Sequence, residues 1–167
     1  NRGHGTGTSA DMSIVTNFVA GPGTGRGDSV DLSLAAFSNL LRSANPNSGP
    51  ALGDAVFSNM LHSGDTVVVP NADVLRFGDG QTFANAAALA AALVAPLTAI
   101  KFASLQTNTV NHYVVAYDDT SGNLRIADLD IHNPVAFDNT SQVQSLAISD
   151  MIQIAGVSVV DLNQSNI

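Results

Sequence analysis

The sequence predicts an α+β domain in which short strands and hairpins form a sheet with three to four helices packed on it. A β-hairpin pattern over 112–131, apolar stripes at helical spacing, and glycine- and proline-rich turns between short apolar runs predict this class. A length of 167 residues fits one domain, 1–167, with a glycine-rich segment at 1–30 and a strand and tail at 157–167.

The hairpin is the stretch around which the other elements are arranged. Apolar residues alternate along both of its strands, on either side of the turn Thr120-Ser121-Gly122-Asn123. Glycine and asparagine tolerate the positive φ that a tight connection needs. Acidic residues cluster in this turn and in the second strand, which makes the hairpin the first indication of function: Asp118, Asp119, Asp128 and Asp130.

Helices are predicted from apolar spacing and from capping residues. They cover 32–43, 52–62, 82–94, and a last segment that opens on the capping box of Ser141 and Gln144 and ends at Gly156. In this last segment the apolar residues are Val143, Leu146, Ala147, Met151 and Ile154. Short strands are predicted at 12–20, 66–69, Val74–Phe77, 100–105, 135–137 and 157–162.

The charged residues are unusual in kind. All 14 acidic residues are aspartate, and one lysine stands beside five arginines, for a net charge of -8. This balance excludes nucleic acid as a partner, because no basic patch is available to neutralise phosphates. The chain has no cysteine, and no apolar run approaches the roughly 18 residues of a membrane span, so we expect no membrane insertion.

Calcium is the metal that these residues favour, since it is bound by carboxylate, carbonyl and amide oxygens. The candidate ligands lie in three clusters: Asp28 with Asp31, Asp73 with Asp79, and Asp118 and Asp119 with Asn123. The alternative interpretation is that the aspartates only keep an extracellular protein soluble.

A serine hydrolase is one alternative function. Gly27-Asp28-Ser29 followed by Asp31 resembles the nucleophile block of GDSL-type lipases, with Ser29 as the nucleophile. The partner pair of that family is Asp-x-x-His, whereas Asp130-Ile131-His132 is one residue short of this spacing. A calcium-dependent ligand-binding or adhesion module is a further alternative, although aromatic residues make up only 5% of the chain and offer few stacking platforms.

Four stretches resemble the C-terminal region of RTX-type bacterial surface proteins, which leave the cell by type I secretion. They are Ile14-Val15-Thr16-Asn17-Phe18-Val19-Ala20-Gly21 with Gly27-Asp28-Ser29-Val30-Asp31-Leu32-Ser33, Tyr117-Asp118-Asp119-Thr120-Ser121-Gly122-Asn123-Leu124, the last predicted helix with 157–162, and the end at 162–167. The resemblance covers about half of the chain. It implies a secreted or surface-held protein that binds calcium, with an export signal at 162–167.

These observations lead to one expectation about function. We expect a non-enzymatic secreted structural protein that is stabilised by calcium and assembles with copies of itself, as a homo-oligomer or homopolymer, at the cell surface or in the extracellular matrix. The sequence carries no closed catalytic constellation, which favours this interpretation over the hydrolase.

Overall fold

The computed structural model describes residues 12–20, 28, 30, 57–62, 65–68, 74–78, 80–94, 101–103, 111–131 and 146–162. Within these residues the elements are β1 Ser13–Val15, β2 Phe57–Leu61, β3 Thr66–Val68, β4 Val74–Phe77, α1 Ala86–Val94, β5 Lys101–Ala103, β6 Asn111–Asp118, β7 Leu124–Ile131, β8 Leu146–Ile154 and a 3-10 turn at Val159–Asp161.

Six of the strands form one mixed sheet in the order β1-β8-β7-β6-β4-β2. Its centre is antiparallel, because β7 pairs in this way with both β6 and β8. Parallel strands flank this centre: β4 beside β6, β2 beside β4, and β1 beside β8. The strands β3 and β5 form a separate parallel pair.

The predicted hairpin is confirmed. The strands β6 and β7 pair without interruption from Asn111 opposite Ile131 to Asp118 opposite Leu124. Gly122 has a φ of 77°, as the turn residues predict, and its amide donates to the carbonyl oxygen of Asp119 at 3.1 Å. The predicted strands at 66–69, Val74–Phe77 and 100–105 also appear, as β3, β4 and β5.

Alternation along the hairpin divides the apolar residues between two faces of the sheet. The face that carries α1 buries Leu61, Leu75, Phe77, Leu89, Leu93, Tyr113, Val115, Tyr117, Ala127 and Leu129. The opposite face buries Val30, Val74, Val114, Ala116, Leu124, Ile126, Ile154, Val157, Val159 and Leu162. The helix contributes Leu89 and Leu93, which are 0% and 2% exposed. The sheet is therefore covered on both sides.

The predicted three to four helices packed on a sheet are wrong, because the described residues contain one α-helix and a mostly β architecture. The alanine-rich helix of 82–94 is confirmed, although it begins at Ala86, where the side chain of Asn85 accepts from the amide of Ala88 at 2.9 Å. The segment 52–62 contains β2, and the last predicted helix contains β8. The predicted helix 32–43 and strand 135–137 lie outside the described residues.

A β-bulge explains why β8 carries a helix-like pattern. Ile126 pairs with Ile152 and Ala127 with Asp150, so Met151 is an extra residue on β8. Leu146 and Ile148 pack on the α1 face, whereas Met151, Ile152 and Ile154 pack on the opposite face. A bulge interrupts the period of two, and the resulting apolar spacing resembles that of a helix.

The second bulge lies on β2, an edge of the sheet. Phe57 pairs with Val74 and Met60 with Arg76, so two residues of β2 stand opposite one of β4. The guanidinium of Arg76 donates to the carbonyl oxygen of Ser58 from Nε at 3.0 Å and from Nη2 at 2.8 Å. The side chain of Arg76 therefore holds the distorted backbone of this edge.

Two strand predictions change at their ends. The segment 12–20 forms a strand only over Ser13–Val15, because Asn17 takes a positive φ of 62° and turns the chain away from extended geometry. The segment 157–162 is not a strand. It forms the 3-10 turn, in which the Ser158 hydroxyl accepts from the amide of Val160 at 3.4 Å and the Ser158 amide donates to Asp161 Oδ2 at 3.3 Å.

Candidate functional site

Four ionisable side chains meet where the β6–β7 turn approaches the start of α1. We call Tyr117, Asp119, Arg125 and Asp150 the corner cluster. Tyr117 and Arg125 are paired opposite each other on β6 and β7, and Asp150 lies on β8. Three neighbouring strands therefore supply one polar cluster at the edge of an apolar core.

Asp119 occupies the turn and is 3% exposed. Its Oδ1 accepts from the amides of Ser121 at 2.8 Å and Asn123 at 3.0 Å, and its Oδ2 accepts from Nε of Arg125 at 3.1 Å. Burial by itself raises the pKa of Asp119, but the donors of Asn123, Ser121 and Arg125 outweigh it, so the pKa lies below its usual value. The carboxylate therefore stays ionised and fixes the turn.

Arg125 joins the two carboxylates of the corner cluster. In addition to its bond with Asp119, its Nη1 donates to Oδ2 of Asp150 at 3.0 Å, and the side chains of Arg125 and Asp150 are 13% and 5% exposed. Burial lowers the pKa of Arg125, but the hydrogen bond to Asp119 and the charge of Asp150 outweigh it and raise the pKa above its usual value. The Met12 sulfur lies 3.4 Å from Nη1, so this side chain also touches the residue before β1.

Asp150 connects the sheet to the helix. Its Oδ1 accepts from the hydroxyl group of Tyr117 at 2.6 Å, and its Oδ2 accepts from the backbone amide of Ala86, the first residue of α1, at 3.3 Å. Burial and the hydrogen bond to Asp150 raise the pKa of Tyr117 well above its usual value. The bulge at Met151 places Asp150 on the α1 face, which allows these bonds to form.

Asp118 lies next to the corner cluster in sequence but makes different contacts. Its two carboxylate oxygens accept from the Ser158 hydroxyl group at 2.6 Å and from the amide of Val159 at 2.7 Å. Asn123 makes a parallel link, since its Oδ1 accepts from the amide of Gly156 at 3.2 Å. These bonds attach the segment after β8 to the hairpin.

The predicted calcium ligands of the hairpin thus do not converge on one point. The carboxylates of Asp118 and Asp119 face separate sets of N–H and O–H donors, and both oxygens of each are occupied. Within the described ranges, no three His, Cys, Asp or Glu side chains are grouped so as to hold a metal ion. Calcium binding by the chain remains a prediction.

Asp28, another predicted ligand, closes a loop. Its amide donates to the carbonyl oxygen of Val19 at 2.9 Å, and its Oδ2 accepts from the amide of Val19 at 2.9 Å. The other predicted ligands Asp31, Asp73 and Asp79 lie outside the described residues, as does Ser29 of the hydrolase alternative.

Sequence reasoning missed the corner cluster as a unit. It selected Asp119, but not Tyr117, Arg125 or Asp150. The hairpin register could have placed Arg125 opposite Tyr117, because an uninterrupted antiparallel pair fixes which residues are neighbours. The position of Asp150 could not be found in this way, since β8 was predicted as a helix.

The described contacts of the corner cluster are all made within the fold. Tyr117 is 0% exposed, and the carboxylates of the cluster accept hydrogen bonds from the strands and helix that they join. The corner cluster therefore couples β6, β7, β8 and α1.

Comparisons of the chain with protein-family models, with curated proteins and with solved structures find no match. Within the described ranges, no helix combines the length and the apolar character that crossing a membrane requires.

Proposed function

We propose that this chain is a non-enzymatic secreted structural module that associates with copies of itself at the cell surface or in the extracellular matrix and is stabilised by calcium. Its composition and its resemblance to RTX-type tails support the location, and the contacts of the corner cluster support a fastening role for its buried ionisable groups.

The outer edge of β8 carries the proposal. The strand β8 has nine residues, but β1 pairs with only three of them, from Ile152 to Ile154. In the part of the chain that the structure describes, no strand lies beside the outer edge of 146–151. A strand edge presents unpaired N–H and C=O groups that readily accept another strand, and proteins associate by this strand addition.

Calcium is expected to favour association because it reduces the repulsion between acidic copies of the chain. A net charge of -8 makes copies of the chain repel one another, and a divalent cation bound by aspartate oxygens reduces that repulsion. We expect association to increase with calcium and to decrease when a chelator removes it, at constant ionic strength.

Light scattering and electron microscopy of the isolated protein, with calcium, with magnesium and with a chelator, test the proposal. The informative variant is Ala147→Lys, because Ala147 is exposed on β8 and lysine on an edge opposes strand addition. The matched control is Ala91→Lys, the same substitution at an exposed position of α1. We expect calcium-dependent association in the wild-type protein and the control, and loss of it in Ala147→Lys. A monodisperse monomer in millimolar calcium would contradict the proposal.

A further inference from the structure

Resting on the proposed function, we infer that the partner on the β8 edge is a second copy of the chain, paired antiparallel about a two-fold axis at Ile148. The two copies then form one continuous sheet. Such an isologous contact uses the same surface on both subunits.

The shape of β8 selects this register. Its edge is regular over 146–150, the bulge at Met151 interrupts it, and β1 covers Ile152 to Ile154. The centre of the regular stretch is Ile148. A two-fold axis at Ile148 therefore pairs the whole stretch with the same stretch of the second copy. Leu146 then lies opposite Asp150 of the partner subunit, and Asp150 lies opposite Leu146 of the partner subunit.

The charges of this stretch permit self-pairing. Asp150 is the only charged residue of 146–150, and its carboxylate is 5% exposed and paired with Arg125. No exposed like charges oppose each other across the axis, although the chain as a whole is acidic. The register also sets Ala147 opposite Ser149 of the partner subunit, both small, and brings together two half-buried Ile148 side chains.

The opposite edge of the sheet argues for a closed dimer over an open filament. The strand β2 is bulged at Ser58 and Asn59, and the Ser58 hydroxyl group donates to the Asn59 carbonyl oxygen at 2.7 Å. Arg76 holds the Ser58 carbonyl oxygen. Bulges and charged side chains are the devices by which edges avoid further pairing. The stretch 146–150 is regular, and its one charged side chain, Asp150, is buried in an ion pair with Arg125.

Single cysteine variants test the register, since the chain has no cysteine of its own. Residues directly opposite each other in an antiparallel pair lie within the Cα separation that a disulfide spans. Under a mild thiol–disulfide buffer with calcium, we expect Ile148→Cys to form a covalent dimer. A mixture of Ala147→Cys with Ser149→Cys should give a mixed dimer in excess of either variant alone. The control Ala91→Cys should stay monomeric.

The outcomes separate this inference from the proposed function. Association without these cross-links overturns the two-fold register and leaves the proposed function standing, and so does growth beyond a dimer. A monomer in calcium overturns both, and slow deuterium exchange of the amides of 146–150 that point away from β7 would show that the chain covers its own edge.

Discussion

Asp150 accepts a 2.6 Å hydrogen bond from the hydroxyl group of Tyr117, although the two residues are 33 positions apart in the chain. The bond crosses from β8 to β6, past β7. The same carboxylate accepts from Arg125 of the intervening strand and from the first amide of α1. One side chain therefore fixes the position of three strands and a helix.

Tyr117→Phe removes this hydroxyl group and keeps the ring in the core. We expect the free energy of unfolding to fall by about 1.5–3 kcal/mol, because the lost hydrogen bond had a charged, buried acceptor. Urea unfolding followed by circular dichroism measures the change.

A double-mutant cycle with Asp150→Ala supplies the control for Tyr117→Phe. If the bond carries the effect, Tyr117→Phe costs much less in the Asp150→Ala background than in the wild-type protein. Additive effects of the two substitutions would show that the hydroxyl group acts through something other than Asp150.

Acid should destabilise the protein through Asp119. Its pKa is lower in the folded chain than in the unfolded chain, so its contribution is complete above the unfolded pKa, about 4. That contribution is lost as the pH falls through the lower, folded pKa. We expect the free energy of unfolding to decrease as the pH is lowered below about 4, measured by urea unfolding at a series of pH values.

Asp119→Asn tests the assignment of this acid sensitivity. The variant should be less stable at neutral pH, because Arg125 loses a charged acceptor, and its stability should fall less steeply in acid. An unchanged acid slope in Asp119→Asn would place the titrating group elsewhere.

The hairpin was predictable because its signals are local. Alternation over 112–131 and the turn at Gly122 agree with each other, and the structure has the same pairing. Asp119 could be selected as a special residue for the same reason, since it lies in that turn. Asp150, which Arg125 links to Asp119, lies on a strand that is distant in sequence, and no local pattern predicts such a contact.

The wrong helix prediction over β8 has a physical cause. A strand is recognised in a sequence by its period of two, and a bulge interrupts that period on β8. The extra residue Met151 moves the following residues to the opposite face, so apolar residues at 146, 147, 151 and 154 have the spacing of a helix. The pairing of β8 with β7, which exists only in the folded sheet, makes this segment a strand.

Gly78 lies against the 3-10 turn, and a Cβ there would overlap Cγ1 of Val159 and approach the Met60 sulfur to 3.3 Å. Replacing glycine with alanine in an ordinary conformation stabilises a protein by about 0.4–1 kcal/mol. Overpacking a buried site costs about 1–3 kcal/mol. We expect the steric cost to exceed the gain, so that Gly78→Ala lowers the free energy of unfolding and the denaturation midpoint.

Removing the obstructing methyl groups is the matched control for Gly78→Ala. Val159→Ala alone should be destabilising, because Val159 is 0% exposed. In the Val159→Ala background, Gly78→Ala should cost little or become stabilising. A cost that is equal in both backgrounds would mean that Val159 does not resist the added carbon.

Deletion of Met151 tests whether the bulge itself is needed to keep the two faces of β8. Asp150 pairs with Ala127 and Ile152 with Ile126, so removal of the one extra residue joins the two halves into a regular strand with Asp150 still on the α1 face. The bonds of Asp150 to Tyr117 and Arg125 can therefore persist. We expect the deletion to cost about as much stability as Met151→Ala, which keeps the bulge and loses only half-buried packing, with thermal and urea unfolding of both variants as the measurement. Loss of cooperative unfolding in the deletion variant alone would mean that the bulge contributes more than the accommodation of one extra residue.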